Sequence, residues 1–337
     1  MRTVWLLGPW LNDMRRRLFL ASATATSVTM SAWPARAEDY PVRPIRLVVP
    51  FGAGGVADLT ARAVGRILGQ RLGQGLVVDN RPGAGGAVAG EAVARAAPDG
   101  YTLLLMSNAT AVSRSLFKHL PFDARKDFTP ISLLSQYDLA FVVPGTSRFE
   151  SLQALLSAAR QRPGELNVGT VYVGSTQHLA AELFRLSAQV ELQVVPFNGT
   201  PGVLTALRSE QIDAAVESLP PLVPQIRAQS IRLLAVLGEK RSPQLPLVPT
   251  VAQSAGIEGF NVSSWTALAA PAKLPRDIVA RLAREVRQLL ESAEAKQQLA
   301  DLNVQARASS PEQLATLLDN EITRWARVIA RVGIPLQ

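Results

Sequence analysis

The chain has 337 residues, of which 47% are hydrophobic and 18% charged, and this composition is typical of a globular protein with two domains. It has no cysteine, only two histidines and no run of 18 apolar residues, which excludes disulfides, thiolate metal sites and an ordinary membrane span and leaves almost nothing for a histidine metal site. The formal net charge is +8, of which the first 37 residues carry +4, and the other basic residues are too scattered to predict nucleic-acid binding.

The amino terminus is typical of an export signal. Arg15–Arg17 precede a short apolar stretch, Leu18–Trp33, and Ala35–Ala37 form an A-x-A cleavage pattern. Residues 1–37 are therefore predicted to be a cleaved signal peptide of a periplasmic protein. Arg16–Leu20 read R-R-x-F-L, which resembles a twin-arginine signal, and an ordinary Sec signal is the alternative. A true start at Met14 rather than Met1 also stays open.

Short β-branched runs then alternate with helical patterns. The predicted strands Ile45–Val49 and Leu76–Val78 are each followed by a glycine-rich turn and a helix, and Tyr101–Met106 is the third strand, ended by Ser107 and Asn108. The first of these helices is predicted to bury Leu59, Ala63, Ile67 and Leu72 on one face. This β-α-β-α-β order predicts a parallel sheet with helices on both faces.

A second β-α series follows. Its predicted strands are Ile131–Leu134, Leu139–Val143, Leu166–Val168, Leu192–Val195, Ile212–Val216 and Ile231–Val236. The chain is then extended over Val262–Ala270 and closes with a helix between an N-cap at Ser310 and a stop at Gly333. Two such series predict two α/β lobes with a cleft between them, where ligands bind beyond the carboxyl ends of the strands.

The turn after the first strand allows three interpretations. Gly52-x-Gly54-x-x-Ala57, with Asp79 ending the next strand, satisfies a dinucleotide pattern, and an exported NAD(P)-dependent oxidoreductase is therefore an alternative function. Glycine-exposed amides at a helix N-terminus also attract a carboxylate or phosphate. The third interpretation is a tight structural turn in which Asp58 caps the helix.

Several motifs lie in order between residues 40 and 335. They are Tyr40-Pro41, Pro44–Phe51, Gly54-Gly55, Asp58, Asp79–Gly86, Ala97–Leu103, Lys126–Ile131, His178–Phe184, Val195–Phe197, Arg241–Pro243, Pro249–Val251 and Ser264-Trp265. As an ordered set they resemble the Bug receptors, the extracytoplasmic solute-binding proteins of tripartite tricarboxylate transporters. No single motif is specific, whereas the ordered set is.

The resemblance implies an α/β periplasmic binding protein, a Venus flytrap with two doubly wound α/β lobes around a ligand cleft. Residues 38–141 with 262–337 are expected to form lobe 1, and residues 142–261 lobe 2. It further implies a monomer without cofactor, metal or enzymatic activity. Such a receptor closes by a hinge motion on a small organic carboxylate and docks on membrane permease subunits or signals to a sensor protein.

The candidate ligand-binding residues lie in turns that follow the predicted strands. They are Phe51, Gly54, Gly55, Asp58, Ser107, Asn108, Tyr172, Ser175, Thr176, Gln177, Asn198, Gly199, Thr200 and Glu217. Asn198 stands where the family often has a cation, which favours a ligand with one carboxylate or a more neutral one.

For several of these residues, and for His178 and Trp265, a purely structural role is the alternative to ligand binding. Asp58 is expected to cap a helix and Glu217 either to be a capping or solvated acid or to read a ligand amine. His178 is expected to cap or line a helix and Trp265 to pack where the lobes meet. Tyr172 either narrows the pocket or packs outside it.

Overall fold

The computed structural model describes residues 40–242 and 245–337, so the predicted signal peptide and Pro243 of the Arg241–Pro243 motif lie outside the described residues. The strands are β1 (Ile45–Val49), β2 (Leu76–Asn80), β3 (Thr102–Ser107), β4 (Phe128–Pro144), β5 (Asn167–Val171), β6 (Gln193–Phe197), β7 (Ala214–Ser218), β8 (Ile231–Val236), β9 (Ser263–Pro271) and β10 (Gln305–Ala306). The helices are α1 (Val56–Leu72), α2 (Ala87–Ala94), α3 (Asn108–Leu116), α4 (Leu152–Gln161), α5 (Thr176–Ala188), α6 (Thr200–Arg208), α7 (Val223–Arg227), α8 (Val251–Ala255), α9 (Arg276–Glu291), α10 (Ala293–Asp301) and α11 (Pro311–Val332).

The strands form one curled sheet in the order β2-β1-β3-β9-β4-β7-β5-β6, and β8 and β10 also pair with β4. The pairs β1–β2, β1–β3, β5–β6 and β5–β7 are parallel, whereas β4 and β9 run antiparallel to their neighbours. Each parallel set has its own crossover helices, as the two predicted β-α series require. The mixed α/β fold predicted from the sequence is confirmed.

The strands at the centre of the sheet are largely apolar because both of its faces are covered there, whereas the edge strands β2 and β6 are partly exposed. In β1, Ile45, Leu47 and Val49 pack into a core with α1, α9 and α10. Val48 points to the opposite face and joins the core formed with α2, α3 and α11. A strand buried on both sides loses its polar alternation, which is why it reads as a continuous hydrophobic run.

The predicted strands Ile131–Leu134 and Leu139–Val143 are in fact one continuous strand, β4. Its first part pairs with β9 up to Asp138, and its second part pairs with β7 and β8 from Leu139 onward. The polar segment Gln136–Asp138, which suggested a break in the sequence, is the half-buried point where the strand passes from one part of the sheet to the other.

The apolar face predicted for α1 is wrong at Leu59. The side chain of Leu59 is 39% exposed and Ala63 is half-buried, whereas Ile67 and Leu72 are buried as predicted, together with Ala57, Ala61, Val64 and Leu68. The last helix is as predicted, with a capping box at Ser310 and a left-handed glycine after its end. No helix among the described residues is long and apolar enough to cross a membrane.

Asp138, where β4 passes between the two parts of the sheet, gives a pH-dependent test of this packing. Burial raises the pKa of its carboxyl from 3.8 to about 6. The folded state therefore holds the proton more tightly, and stability is lost as the pH rises from 3.8 to about 6. We expect Asp138→Asn to raise the unfolding free energy at pH 7.5, by up to roughly 3 kcal/mol, and to leave it unchanged at pH 3.5.

Urea unfolding of both proteins at the two pH values measures this difference. An equal effect of the substitution at both values would show that the ionisation of Asp138 is not what limits stability at this point of the sheet.

Candidate functional site

A cavity of about 1400 Å³ lies where the turns of the two parts of the sheet face each other. We call it the cleft. Four helices begin in its wall, because residues at the start of each helix line it: Gly55 and Val56 of α1, Ser107 and Asn108 of α3, Ser175 and Thr176 of α5, and Gly199 and Thr200 of α6. A more open depression of about 790 Å³ between α1 and β2 contains none of the candidate residues.

Twelve of the fourteen candidate residues line the cleft, and Asp58 and Glu217 do not. The structure therefore brings together turns that are more than 140 residues apart in the chain. The lining residues are Phe51, Gly54, Gly55, Ser107, Asn108, Tyr172, Ser175, Thr176, Gln177, Asn198, Gly199 and Thr200. Their contacts with a ligand stay a prediction.

Asp58 lies behind the glycine turn and holds it in place. Its carboxylate is 1% exposed and accepts hydrogen bonds from the Gly54 amide at 2.8 Å, the Arg62 Nε at 3.0 Å and the Asn80 Nδ2 at 2.9 Å. Burial alone would raise the pKa of Asp58, but these three donors outweigh it and hold the pKa below 3.8. One of the two glycine amides predicted to face an anion is thus already bonded within the protein.

The two glycines of this turn differ in their backbone requirement. Gly54 has a φ of +85°, which favours glycine strongly. Gly55 is the N-cap of α1 with a φ of −80°, and a Cβ there would meet only the Gly52 carbonyl oxygen, at 3.9 Å. Because glycine has no side chain, the N-cap residue of α1 provides no side-chain hydrogen bond to the amides of the first turn.

Two serines occupy equivalent places in the two parts of the sheet. Ser107 accepts from the Ala109 amide at 3.2 Å and begins α3, and Ser175 accepts from the His178 amide at 3.0 Å and begins α5. Their hydroxyls are therefore used in capping, and each offers the cleft a helix N-terminus rather than a free side chain.

Asn108 is 1% exposed and braces the wall from inside. Its Oδ1 accepts from the Trp265 amide at 3.2 Å, and its Nδ2 donates to the Ser263 carbonyl and to Glu321, both at 3.4 Å. Trp265 itself is 3% exposed, in β9 where it pairs with β4, and does not line the cleft. It packs where the two parts of the sheet join, as expected.

Glu217 is fully buried behind the opposite wall. Its Oε1 accepts from the Gln177 Nε2 at 2.8 Å and from the Ser218 amide at 2.7 Å, and the Gln177 Nε2 also donates to the Ser218 hydroxyl at 3.0 Å. Its Oε2 is buried without a hydrogen-bond partner among the described residues. Burial raises the pKa of Glu217, against the hydrogen bonds of Gln177, Ser218 and the facing Thr200, which favour its ionised form. Glu217 is thus neither a solvated acid nor a lining residue.

Of the remaining residues, His178 is buried and supports the start of α5, whereas Tyr172 and Asn198 are exposed. His178 is 6% exposed, burial lowers its pKa, and its Nδ1 accepts from the Gly174 amide at 3.5 Å, so it braces the start of α5 as expected. Tyr172 lines the cleft with 45% of its surface exposed, which contradicts packing outside the pocket. Asn198 is exposed at the rim.

Sequence reasoning missed lining residues that do not follow a strand. Tyr137 and Ser264 belong to the two antiparallel strands β4 and β9, and Arg208 and Asp301 end α6 and α10. These last two carry the only charged side chains that line the cleft among the described residues. Arg208 could have been found from its spacing, because Thr200, Leu204 and Arg208 recur every four residues along one helix face.

The dinucleotide interpretation has no support in this geometry. The Asp79 carboxylate accepts from Arg81 Nε at 2.9 Å, lies 3.8 Å from an Arg46 nitrogen, and is not among the residues that line the cleft. The described residues also contain no cluster of His, Asp or Glu that would hold a metal ion.

Known proteins resemble this chain over nearly its whole length. Residues 60–334 match the tripartite tricarboxylate transporter family receptor domain. The UPF0065 protein in the tcbD-tcbE intergenic region of Pseudomonas sp. (strain P51) is 36% identical over 95% of this chain and 96% of its own length. Protein BugT of Bordetella pertussis is 35% identical over 91% of this chain and 94% of its own.

Solved structures of similar proteins also match this chain over most of its length. R. palustris Rpa4515 with adipate is 34% identical with a TM-score of 0.81, and it covers 89% of this chain and all of its own. MatC (Rpa3494) from Rhodopseudomonas palustris with bound malate is 33% identical with a TM-score of 0.75, over 86% of this chain and all of its own.

The Asp58 network predicts a stability change that does not depend on a ligand. Three donors converge on this carboxylate, and an amide offers them only one acceptor oxygen. We therefore expect Asp58→Asn to lower the unfolding free energy at pH 7 by roughly 1–3 kcal/mol. Because the folded pKa is depressed, the difference should shrink as the pH falls from 3.8 through the folded pKa.

Denaturant unfolding at pH 7 and pH 3 measures both quantities. Arg62→Gln is the matched control, because the Arg62 side chain is half exposed and its loss should cost less than Asp58→Asn. A larger loss in Arg62→Gln would contradict the role given to Asp58.

Proposed function

Because the chain belongs to the tripartite tricarboxylate transporter receptor family, we propose that it is a periplasmic receptor that captures a small organic carboxylate in the cleft. It delivers this ligand to the membrane permease subunits of such a transporter, or presents it to a sensor protein. It acts as a monomer without cofactor and without catalysis.

The convergence of four helix N-termini on the cleft carries this proposal. The helices α1, α3, α5 and α6 each have nine residues or more, and the helix dipole gives each start a partial positive charge. One first-turn amide of α3 and one of α5 are already bonded to a serine hydroxyl, and the first turn of α6 contains a proline, which has no amide proton. Each such start favours an anion by about 0.3–1 kcal/mol. Arg208 adds a positive charge to the lining and Asp301 a negative one, so the helix starts and not the charged side chains favour an anion. The adipate and malate named for the two solved relatives are anions of the expected kind.

The size of the cleft supports capture by closure. A cavity of about 1400 Å³ exceeds the roughly 300–1,000 Å³ of typical small-molecule sites, so a small carboxylate cannot contact all its walls at once. We propose that residues 38–141 with 262–337 and residues 142–261 move as two lobes about the crossings in β4 and before β9. A ligand that bridges both lobes favours the closed form by its additional contacts.

Identification of the bound molecule tests the function directly. The purified protein is denatured, and the small molecules it releases are identified by mass spectrometry. Calorimetry with a panel of mono-, di- and tricarboxylates, and with NAD and NADP, then measures affinity. A carboxylate that binds with one-to-one stoichiometry supports the receptor. Saturable binding of NAD together with no carboxylate binding would overturn it.

Gly55→Val should nearly abolish carboxylate binding. The φ of −80° and the open space around this position allow a valine without strain. Its side chain would then cover the first-turn amides of α1 and keep an anion away from them. Calorimetry with the tightest-binding carboxylate of the panel measures the loss.

Gly75→Val is the control, because Gly75 also has open space around it and lies outside the cleft. We expect it to bind like the unmodified protein. If folded Gly55→Val binds with full affinity, the carboxylate does not sit at the start of α1.

We further propose that the signal peptide is cleaved after Ala37. The intact mass of the protein taken from the periplasm should correspond to a chain that begins at Glu38, and a mature chain that retains Arg15–Arg17 would contradict this. Replacement of both Arg16 and Arg17 by lysine keeps the charge and should block export through the twin-arginine route. Unchanged export of this variant indicates the Sec route.

A further inference from the structure

The lobe-2 wall of the cleft contains a group of polar side chains whose hydrogen-bond donors are directed away from the ligand space. Gln177, at the second position of α5, has its Nε2 bonded to both the Glu217 Oε1 and the Ser218 hydroxyl. A side-chain amide has two N–H donors, and both are used here. The atom that Gln177 has left to offer is its carbonyl oxygen, which is an acceptor.

Glu217 fixes this orientation. Its carboxyl is fully buried, and an oxygen of Gln177 in place of the nitrogen would face the Glu217 Oε1 with no proton between them. Thr200, which begins α6 and lines the cleft, also faces this carboxyl and favours its ionised form. A threonine hydroxyl that directs its proton at Glu217 presents lone pairs on its other side.

Glu217 also leaves one acceptor unsatisfied. Its Oε2 is buried and has no hydrogen-bond partner among the described residues, and a buried acceptor without a partner is destabilising. The side chains around this carboxyl (Gln177, Thr200 and Ser218) all line the cleft. Because the N–H donors of Gln177 are turned toward this carboxyl and Ser218, the wall presents an acceptor, which favours a hydrogen-bond donor in the space before it.

We propose that Glu217 and Gln177 make this corner of the cleft an acceptor site, so that the ligand is a carboxylate that also carries a hydrogen-bond donor, an ammonium or a hydroxyl group. This inference rests on the proposed function and names the ligand class more narrowly. The carboxylate of the ligand binds at the helix N-termini, and its ammonium or hydroxyl group donates a hydrogen bond to the Gln177 carbonyl oxygen. Glu217 does not touch the ligand and acts by fixing the orientation of Gln177.

Matched ligands that differ only in the donor provide the test. Succinate, malate and aspartate share one carbon skeleton and carry hydrogen, hydroxyl or ammonium at the same carbon. Glutarate, 2-hydroxyglutarate and glutamate, and adipate, 2-hydroxyadipate and 2-aminoadipate, repeat the comparison at greater length. We expect the best donor-bearing member to bind at least about tenfold tighter than its plain diacid, the size of one hydrogen bond to a charged group.

Two variants locate the source of this preference. Gln177→Met keeps the length of the side chain and removes the acceptor, and it should lose the tenfold preference for either donor. Glu217→Gln keeps the shape but can place an N–H donor opposite the Gln177 amide, so it no longer holds Gln177 in one orientation and should reduce the preference for both kinds of donor. The ratio of two affinities in one protein is the readout, because a general loss of stability does not change it.

Glu182→Gln is the matched control. Glu182 lies on the same helix, pairs with Arg185 at 2.9 Å and does not line the cleft, so its neutralisation should leave the ratio unchanged. Equal binding of the plain diacid and its donor-bearing relatives, or a preference that survives Gln177→Met, would overturn the acceptor site while the receptor function stands. If no member of these series binds and no mono- or tricarboxylate of the wider panel binds either, the proposed function and this inference both fail.

Discussion

The strand β4 belongs to both parts of the sheet, and the rest of the architecture depends on this continuity. It pairs with β9 over its first part and with β7 and β8 over its second, so one unbroken backbone joins the two sets of parallel strands. The parallel strands of each set end at one edge, and each is followed by a helix that begins there. Because β4 holds the two sets side by side, these edges meet, and four helix N-termini surround one cleft.

Buried polar side chains fix the shape of the cleft. Some of them lie behind its walls, and the others line it but already have hydrogen-bond partners within the protein. Asp58 fixes the glycine turn through three donors, Asn108 ties the start of α3 to β9, and Glu217 orients Gln177. These groups are buried, and a buried polar group stays in one place because loss of its partners is costly. The helix starts that line the cleft therefore belong to a rigid frame, and a rigid site limits the ordering that binding has to impose.

Donors and acceptors are unevenly distributed around the ligand space. The helix starts supply amide donors and partial positive charge, and Arg208 extends this along α6. The region of Gln177 and Thr200 is different, because the buried Glu217 carboxyl behind it accepts hydrogen bonds from both side chains and leaves their acceptor atoms for the cleft. Asn198, where the resemblance suggested the loss of a cation, is exposed, and the positive side chain that lines the cleft is Arg208 at the end of α6, balanced by the negative Asp301 at the end of α10.

The sequence by itself determined the order of strands and helices, the family, and the turns that line the cleft, because these depend on local features: β-branched runs, glycines with special backbone angles, and capping serines. It could not determine that residues 131–134 and 139–143 are one strand, since a polar crossing point looks like a break until its partner strands are known. Nor could it separate Asp58 and Glu217, which lie behind the walls, from the residues that line them. Which side of a wall a side chain occupies depends on contacts between segments such as Gln177 and Glu217, 40 residues apart, and only the tertiary structure brings these together.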